Sequence, residues 1–498
     1  MKIKEIIEVL ENNKLIVNKQ GYIDENIEIL DITYNSKECK NGSLFFVKGV
    51  NFKEEYIEDA KNNGASLMIS EKEYEKEYMP NIIVSDVRIA MLKLASHFFG
   101  YAYKDLNMIG ITGTKGKTTT TYYLKNILDE HMKKQIGLIS TIGVYTGTRD
   151  EEAHLTTPEA VELQRYIKEV KENDLEFLVM EVSSQGYKVN RMNDISFEIG
   201  AFLNISEDHI SPAEHPNFND YLDCKLQFVK NCKNVVVNYN TDYFEVVKEA
   251  AKNAEKIITY GTEKDKDHVD YYYDNVVQKD GVYEFTVHSE GYERRFKTKM
   301  FGRFNIENAM VAIILAKYYN VADEDIEKGI LKTSVKGRMN VYEKDGVMAI
   351  VDYAHNKLSF QKFFEAVRTD FPDRRIITVA GGPGGKAFAR RKDLGEIASK
   401  YSSYMYLTAE DPQFEKVEDI CREIATYVIC DYEIVEDRKE AIEKAVANAK
   451  KGDILAILAK GEETYQKVEG KFTPYESDLA IIERLMKGWY IWENIKNW

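Results

Sequence analysis

A predicted strand that runs directly into a glycine-rich turn constrains the fold of this chain more than any other feature. Residues 109–120 read Ile-Gly-Ile-Thr-Gly-Thr-Lys-Gly-Lys-Thr-Thr-Thr. Gly113 and Gly116 let backbone N–H groups turn toward phosphate oxygens. Lys117 adds a positive charge, and Thr118 can offer a hydroxyl to Mg²⁺. The helix expected next points its positive end at the same anion, so the segment predicts a cradle for a nucleoside triphosphate.

The spacing of the two glycines departs from the commonest phosphate loop. That loop has four residues between its first glycine and Gly-Lys, whereas two residues separate Gly113 from Gly116 here. Glycine-rich strand-to-helix turns also occur without a nucleotide, so a purely structural turn is the alternative interpretation.

The chain is too long for one hydrophobic core. The chain has 498 residues. Because a typical domain has about 150 residues, this length suggests three domains. The pattern of strands and helices restarts near Leu106 and after Met339, which predicts domains at residues 1–100, 101–335 and 336–498. We expect an α/β fold: a small α/β unit, a central domain with a mainly parallel sheet, and a doubly wound, Rossmann-like third domain. The tyrosine-rich residues 265–299 are predicted to be an antiparallel insertion, and Pro158 to open a helix.

Charge and cysteine content exclude several classes of function. The net charge of −15 argues against non-specific nucleic-acid binding, although a local basic pocket is compatible with it. The five cysteines form no CxxC pair, so neither a disulfide framework nor a zinc site is indicated. No window approaches the ~20 apolar residues of a membrane span, and the N-terminus lacks an export signal. We therefore expect a cytoplasmic protein without a membrane span.

Polar residues follow several predicted strands, at the edge where parallel sheets build ligand sites. Glu181 ends one strand and is a natural Mg²⁺ ligand opposite Thr118, although it could instead cap a neighbouring turn. His209, in the loop Asn204-Ile-Ser-Glu-Asp-His209, is a candidate metal or phosphate ligand. Asp352-Tyr-Ala-His355 closes the first predicted strand of the third block, which suggests a cleft between the second and third blocks.

These motifs together resemble the Mur ligases, the ATP-dependent amide-forming enzymes of peptidoglycan precursor synthesis, and in particular their E-type members. The resemblance rests on Gly113-Thr-Lys-Gly-Lys-Thr-Thr119, on Leu155-Thr-Thr-Pro-Glu159, and on Glu181-Val-Ser-Ser-Gln-Gly186 with Arg191. Gly302-Arg-Phe-Asn305, Gly337-Arg-Met339 and Asp352-Tyr-Ala-His355 follow in the same order. The resemblance covers nearly the whole chain.

The resemblance implies roles for individual residues. ATP would be bound by Gly113, Thr114, Lys115, Gly116, Lys117, Thr118, Thr119, Asn305, Arg338, Asp352 and His355. The UDP-N-acetylmuramoyl dipeptide would be held by Ser36, Thr156, Thr157, Ser183 and Arg191. The catalytic residues would be Lys117, Glu181, His209 and Lys225, and Mg²⁺ would be bound by Thr118, Glu181, His209 and Lys225. Lys225 would act as a carbamate, whereas from the sequence alone it is an exposed helix lysine.

The resemblance also implies a mechanism. ATP phosphorylates the free carboxylate of the dipeptide's D-glutamate, and an amine then attacks the acyl phosphate. Metal ions and Lys117 would neutralise charge on the transferring phosphoryl group.

The identity of the added amino acid depends on a short acidic motif. Diaminopimelate-adding members carry Asp-Asn-Pro-Arg, whereas this chain reads Glu410-Asp-Pro-Gln413. Without the arginine, a second carboxylate lacks its bidentate partner. An acidic pocket of Glu410, Asp411 and Glu463 would suit the ε-ammonium of L-lysine, which we favour over meso-diaminopimelate. Arg391 would hold the α-carboxylate of either amino acid, and Gln413 would line the pocket. Alternatively, Asp411 is simply a helix cap before Pro412.

Two rival interpretations remain open from the sequence. Folylpolyglutamate synthase shares the phosphate loop but lacks an N-terminal UDP-binding unit and the Thr-Thr-Pro-Glu segment. A non-catalytic Mur-like partner of a cell-wall enzyme would tolerate loss of Glu181, His209 or Lys225, and all three are present. The sequence does not fix the oligomeric state and is compatible with a monomer.

Overall fold

The computed structural model describes residues 1–49, 52–76, 78–153, 155–208, 210–211, 214–279 and 281–486. Their strands form three sheets of five, eleven and six strands and one separate hairpin. Each of the three sheets uses strands from one of the three sequence blocks. The domain limits at residues 100 and 335 nevertheless stay predictions.

The N-terminal block is a five-stranded sheet with helices packed against it. Its strands follow the order β1-β5-β4-β3-β2, and only β1 is antiparallel to its neighbour. Helix α3 begins where the Asp86 side chain accepts the backbone N–H groups of Arg88 and Ile89, which caps its first turn. The elements are α1 (Ile3–Asn12), β1 (Ile16–Gln20), β2 (Asp31–Thr33), β3 (Ser43–Phe46), α2 (Glu55–Asn62), β4 (Ala65–Ser70), β5 (Asn81–Val84) and α3 (Val87–Phe98).

The central block is built on the eleven-stranded sheet. Its strands are β6 (Asn107–Thr112), β7 (Gly137–Ile139), β8 (Gly143–Tyr145), β9 (Asp150–Glu152), β10 (Phe177–Glu181), β11 (Phe197–Phe202), β12 (Cys232–Asn238), β13 (Lys256–Thr262), β14 (Tyr271–Lys279), β15 (Val282–Ser289) and β16 (Tyr292–Thr298). Its helices are α4 (Lys117–Met132), α5 (Ala160–Glu172), α6 (Ser184–Lys188), α7 (Phe218–Lys230), α8 (Phe244–Ala250), α9 (Phe304–Tyr318) and α10 (Asp323–Lys332).

The register of the three central strands positions the functional residues. Parallel strand β6 lies between β10 and β11, with Glu181 opposite Ile111 and Phe202 opposite Thr112. Because all three strands run in the same direction, their carboxyl ends meet at one edge of the sheet. The loops that follow β6, β10 and β11 are therefore neighbours.

One sequence prediction for the central block is confirmed and one needs correction. The tyrosine-rich segment forms an antiparallel insertion, as predicted, because β15 pairs antiparallel with both β14 and β16, and β14 joins this insertion to β13 in parallel. Pro158 lies outside the helix that it was expected to open, since α5 begins at Ala160 with Glu159 as its N-cap residue.

The third block is doubly wound, as predicted. Its sheet has the order β17-β18-β22-β19-β20-β21, and only β17 is antiparallel. Helices α11, α12 and α13 share one core on one face, and α14 and α15 share another. The elements are β17 (Asn340–Lys344), β18 (Val347–Asp352), α11 (Lys357–Asp370), β19 (Ile376–Ala380), α12 (Ala389–Tyr401), β20 (Tyr404–Leu407), α13 (Val417–Ala425), β21 (Asp431–Ile434), α14 (Arg438–Asn448), β22 (Ile454–Leu458), β23 (Tyr465–Val468), β24 (Lys471–Pro474) and α15 (Asp478–Leu485).

The predicted fold class, α/β with mainly parallel sheets, is confirmed. Within the described ranges, no helix has both the length and the apolar character that crossing a bilayer requires.

Candidate active site

A cleft of about 700 Å³ lies between the carboxyl edge of the central sheet and the third block. The central block contributes the phosphate loop, Glu181 at the end of β10, the loops that follow β7 and β11, and the start of α9. The third block contributes residues that follow β18, β20 and β22. Ligand pockets of enzymes commonly have this size and lie at such junctions.

The phosphate loop is held in shape by its neighbours. Gly116 has a φ of +89°, and a Cβ there would lie 2.4 Å from Asn308 Oδ1, so glycine is required on both counts. Asn204 clamps the loop, because its Oδ1 accepts Lys115 N (2.9 Å) and its Nδ2 donates to Lys115 O (3.0 Å). Lys117 Nζ donates to the Gly113 carbonyl at 2.9 Å. Contacts within the protein thus fix the shape of the cradle.

Glu181 accepts hydrogen bonds at the base of this cradle. Thr118 Oγ1 donates to Glu181 Oε2 (3.0 Å), and Thr141 donates through its backbone N to Oε1 (2.8 Å) and through Oγ1 to Oε2 (3.1 Å). Glu181 is fully buried. A buried carboxylate beside two hydroxyls is an all-oxygen donor set, which fits Mg²⁺. His209, the other predicted ligand in this region, lies outside the described residues.

Lys225 lies under the phosphate loop, contrary to the expectation of an exposed helix lysine. It is buried, and its Nζ donates to the Gly113 carbonyl at 2.9 Å. Burial, with the nearby Lys117 ammonium, holds the pKa of Lys225 well below its usual range. The lowered pKa therefore favours the neutral amine form of Lys225, which lies buried on α7.

The remaining predicted nucleotide contacts line the same cleft. Asp352 accepts the backbone N–H groups of Met339 (2.9 Å) and Ala354 (2.7 Å), which fixes the loop after β18. Burial, with the charges of Lys115 and Arg390, keeps the pKa of His355 well below its usual range. The cleft-lining residues from this group are Thr114, Lys115, Gly116, Lys117, Thr118, Thr119, Asn305, Arg338, Asp352 and His355.

Three of the five predicted muropeptide residues, Thr157, Ser183 and Arg191, are hydrogen-bonded to one another beside β10, and Thr156 lies nearby on Thr141. Thr157 Oγ1 donates to the Glu181 carbonyl (3.1 Å) and accepts Ser183 N (3.0 Å). Arg191 Nη1 donates to the Thr157 carbonyl at 3.1 Å, and Thr156 Oγ1 lies 3.0 Å from Thr141 Oγ1. Ser36 stands apart in the N-terminal block, in a buried turn after β2.

The structure corrects the expectation for Arg391. Its guanidinium is buried and bound by Glu423 (2.5 Å) and Glu415 (2.8 Å), away from the cleft. The preceding Arg390 lines the cleft instead, and its Nη2 lies 3.2 Å from Asp208 Oδ1. Consecutive side chains on a helix point about 100° apart, so only one of the two can face the cleft.

The acidic motif Glu410-Asp-Pro-Gln413 lies partly in the cleft and partly against the β23–β24 hairpin. Glu410, Asp411 and Glu463 line the cleft, whereas the backbone N–H of Gln413 donates to the Lys467 carbonyl (2.9 Å) in the β23–β24 hairpin. The helix-cap interpretation of Asp411 is wrong, because α13 begins only at Val417.

A buried lysine that sequence reasoning missed pairs with this motif. Lys460 Nζ lies 2.8 Å from Asp411 Oδ1 and is also ion-paired with Glu463. Lys460 lies two residues after the end of β22. A search for polar residues at the carboxyl ends of predicted strands, which identified Glu181, could therefore have found it. Glu410 is buried as well, and burial with the neighbouring Asp411 charge raises its pKa to about 7.

Comparisons with known proteins place this geometry in a family. Residues 111–316 match the Mur ligase middle domain, and residues 337–461 match the Mur ligase glutamate ligase domain. This chain belongs to the Mur ligase family. The resemblance drawn from the motifs is thereby confirmed.

Similar proteins extend over nearly the whole of this Mur ligase. The UDP-N-acetylmuramoyl-L-alanyl-D-glutamate–L-lysine ligase of Enterococcus faecalis is 38% identical, covering 92% of this chain and 91% of that protein. The enzyme of the same name from Streptococcus pneumoniae serotype 2 is 35% identical over 98% of this chain and 100% of that protein.

Solved structures agree on the fold. A UDP-N-acetylmuramoyl-L-alanyl-D-glutamate–2,6-diaminopimelate ligase superposes with a TM-score of 0.64 at 22% identity, and the match covers 98% of each chain. Because the two relatives named for L-lysine ligation span the N-terminal block as well, the folylpolyglutamate synthase interpretation is set aside.

Proposed function

We propose that this Mur ligase is an ATP-dependent amide ligase that adds L-lysine to UDP-N-acetylmuramoyl-L-alanyl-D-glutamate during peptidoglycan precursor synthesis. The observation that carries the proposal is one cleft with the phosphate loop and Glu181 on one side and the carboxylates of Glu410, Asp411 and Glu463 on the other. The names of the relatives at 35–38% identity support the same reaction.

The first half-reaction transfers the γ-phosphoryl group of ATP to a carboxylate oxygen of D-glutamate, and ADP leaves with the electrons of the broken P–O bond. Lys117 and the backbone N–H groups of the phosphate loop would neutralise and orient the phosphates. Thr118, Glu181, His209 and Lys225, as its carbamate, would hold Mg²⁺. When bound, this ion supplies charge neutralisation at the transferring phosphoryl group.

The carbamate of Lys225 is supported by its burial and lowered pKa. The neutral amine is the form that attacks CO₂, and it loses a proton as the carbamate forms. Thr156, Thr157, Ser183, Arg191 and Ser36 would hold the muropeptide, with its reacting end near Glu181.

The second half-reaction is attack of the deprotonated α-amine of lysine on the acyl phosphate, which expels inorganic phosphate. We assign the α-carboxylate of lysine to Arg390 rather than Arg391, because Arg390 faces the cleft. Glu410 would receive the ε-ammonium. Asp411 and Glu463 are partly neutralised by Lys460, so Glu410 is the carboxylate that we expect to contribute most to selection of a cation.

We further propose that the reaction takes place in the cytoplasm, where ATP is available. The five cysteines are free thiols, as expected in a reducing compartment.

Phosphate release tests the function. Purified protein would be supplied with ATP, Mg²⁺ and UDP-N-acetylmuramoyl-L-alanyl-D-glutamate, together with L-lysine, meso-diaminopimelate or no amino acid. We expect turnover that depends on lysine. Turnover with diaminopimelate alone would retain the ligase and reject the role of Glu410, and no turnover with either would favour the non-catalytic partner.

A further inference from the structure

Four charged side chains meet where the N-terminal block packs on the central block. Lys48 follows β3, and its Nζ lies 2.7 Å from Glu159 Oε2. Arg191 donates to Glu159 Oε1 through Nε (3.1 Å) and Nη2 (2.7 Å). Arg88, in the first turn of α3, brings its Nη1 to 3.8 Å from Glu159 Oε2. Three cations thus share one carboxylate.

The charges in this cluster do not balance. A further acid on α5, Glu162, is hydrogen-bonded to the Tyr34 hydroxyl, and even with Glu162 counted the cluster keeps a positive excess. The Lys48 side chain is 9% exposed and that of Arg191 is 13% exposed, so water screens their charges poorly. A low-dielectric cluster with excess positive charge attracts an anion.

One donor of the cluster lacks a partner. Arg88 Nη1 is buried and makes no hydrogen bond to any residue in the described part of the chain. Buried guanidinium N–H groups are normally paired, so this donor is available to a ligand.

The cluster is continuous with the transfer centre. Arg191 donates to the Thr157 carbonyl, and Thr157 Oγ1 donates to the Glu181 carbonyl. On the other side of the cluster, Lys48 Nζ lies 4.1 Å from the centre of the Tyr34 ring. Tyr34 precedes Ser36 by two residues. The cluster therefore lies between the predicted UDP-binding residue and the predicted phosphoryl-transfer site.

We propose that Lys48 and Arg88 join Arg191 in binding an anionic group of the UDP-muropeptide, so that the two blocks hold the substrate across their junction. This assignment rests on the proposed function. The substrate carries two anions of suitable chemistry, the diphosphate next to uridine and the α-carboxylate of D-glutamate.

Binding measurements with two ligands test the assignment. Calorimetry would compare UDP-N-acetylmuramoyl-L-alanine, which has the diphosphate and the alanine carboxylate but no D-glutamate, with UDP-N-acetylmuramoyl-L-alanyl-D-glutamate. For Lys48→Met and Arg88→Met we expect the affinity to fall about tenfold or more, since each substitution removes a charged hydrogen-bond donor. A loss with both ligands identifies the diphosphate, and a loss with the dipeptide ligand alone identifies the carboxylate. Unchanged affinity for both ligands overturns the proposal.

Lys93→Met is the matched control. Lys93 is also on α3 and also bridges the two blocks, through Asp194 at 2.5 Å, but its partner is a single carboxylate. We expect Lys93→Met to leave both affinities within twofold of the wild type. An equal loss of affinity in Lys93→Met would show that the substitutions act by weakening the packing of the two blocks, and it would contradict the anion site.

Kinetics separate this proposal from the function on which it rests. The KM for the muropeptide should rise in Lys48→Met and Arg88→Met, while the KM values for ATP and lysine stay constant, and Arg88→Lys should recover most of the loss. If the wild type binds neither muropeptide, the proposed function itself fails. If it binds both and the variants bind equally well, only the anion site fails.

Discussion

Lys460 Nζ lies 2.8 Å from Asp411 Oδ1 inside the cleft, and the same ammonium is ion-paired with Glu463. Tyr353 OH also donates to Glu463 Oε1 at 2.6 Å. Two of the three cleft carboxylates are thus engaged by the protein itself. Among the described residues, no basic side chain lies within ion-pair distance of Glu410, which leaves its charge available to a cationic substrate.

Replacing Glu410 should therefore weaken lysine binding selectively. We expect Glu410→Gln to raise the KM for lysine about tenfold to a hundredfold, because a hydrogen bond between charged groups contributes about 1.5–3 kcal/mol. The KM for ATP should not change. Gln413→Ala is the control, since Gln413 lies outside the cleft. Equal effects of the two substitutions on lysine would contradict the assignment.

The raised pKa of Glu410 also predicts that lysine binding depends on pH. Burial and the Asp411 charge raise the pKa of Glu410 to about 7, so the neutral acid predominates below that pH. Lysine binding needs the ionised form, and kcat/KM for lysine should rise as the pH increases through about 7. The profile of Glu410→Gln should lack this inflection.

The raised pKa of Glu410 also affects stability. Between its ordinary pKa and about 7, the folded state holds the proton more tightly than the unfolded state does. The contribution of Glu410 to the free energy of unfolding should therefore decrease as the pH rises through that range. Urea unfolding of wild type and Glu410→Gln at pH 5 and pH 8 would measure the difference.

The hydroxyl of Thr118 should matter for Mg²⁺ and not for folding. We expect Thr118→Val to raise the Mg²⁺ concentration needed for half-maximal activity and to lower kcat, since a metal ligand beside Glu181 is lost. Thr121→Val is the matched control on α4, because Thr121 Oγ1 is buried and makes no hydrogen bond to the described residues. An equal Mg²⁺ effect in both variants would argue against a metal site here.

Gly116 should be intolerant of any side chain. Gly116→Ala places a Cβ at a φ of +89° and 2.4 Å from Asn308 Oδ1, so the phosphate loop must shift. We expect ATP affinity to fall at least tenfold, measured by calorimetry with a non-hydrolysable ATP analogue. Gly100→Ala has a similar φ of +70° but meets no atom within 4 Å. It should cost about 1 kcal/mol of stability and leave ATP affinity intact.

Two adjacent arginines should give different phenotypes. Arg390→Gln should raise the KM for lysine about tenfold, because a cleft-facing guanidinium is lost. Arg391→Gln should instead lower the free energy of unfolding by about 1–3 kcal/mol, because the buried guanidinium loses its ion pairs with the partly exposed Glu415 and Glu423. Steady-state kinetics and thermal unfolding of both variants would separate the effects. A higher KM for lysine in Arg391→Gln, at unchanged stability, would instead support the prediction from the sequence that Arg391 holds the α-carboxylate of lysine.

The fold class and the phosphate cradle could be predicted from local sequence patterns. A glycine-rich turn between a strand and a helix is a local feature, and its backbone geometry and its chemistry come from the same few residues. The adjacency of Thr118 and Glu181 was also predictable, since Thr118 follows β6 and Glu181 ends β10, and the carboxyl ends of these parallel strands share an edge. Their metal-binding role stays a prediction.

Which side chains face the cleft depends instead on long-range packing. Arg390 and Arg391 are consecutive, and the contacts of Glu415 and Glu423 select which one is withdrawn. Lys225 is buried because α7 packs under a loop more than a hundred residues earlier in the chain. Lys460 neutralises Asp411 from another strand end. Direction, burial and ion pairing are set by residues far apart in sequence, and local patterns carry no information about them.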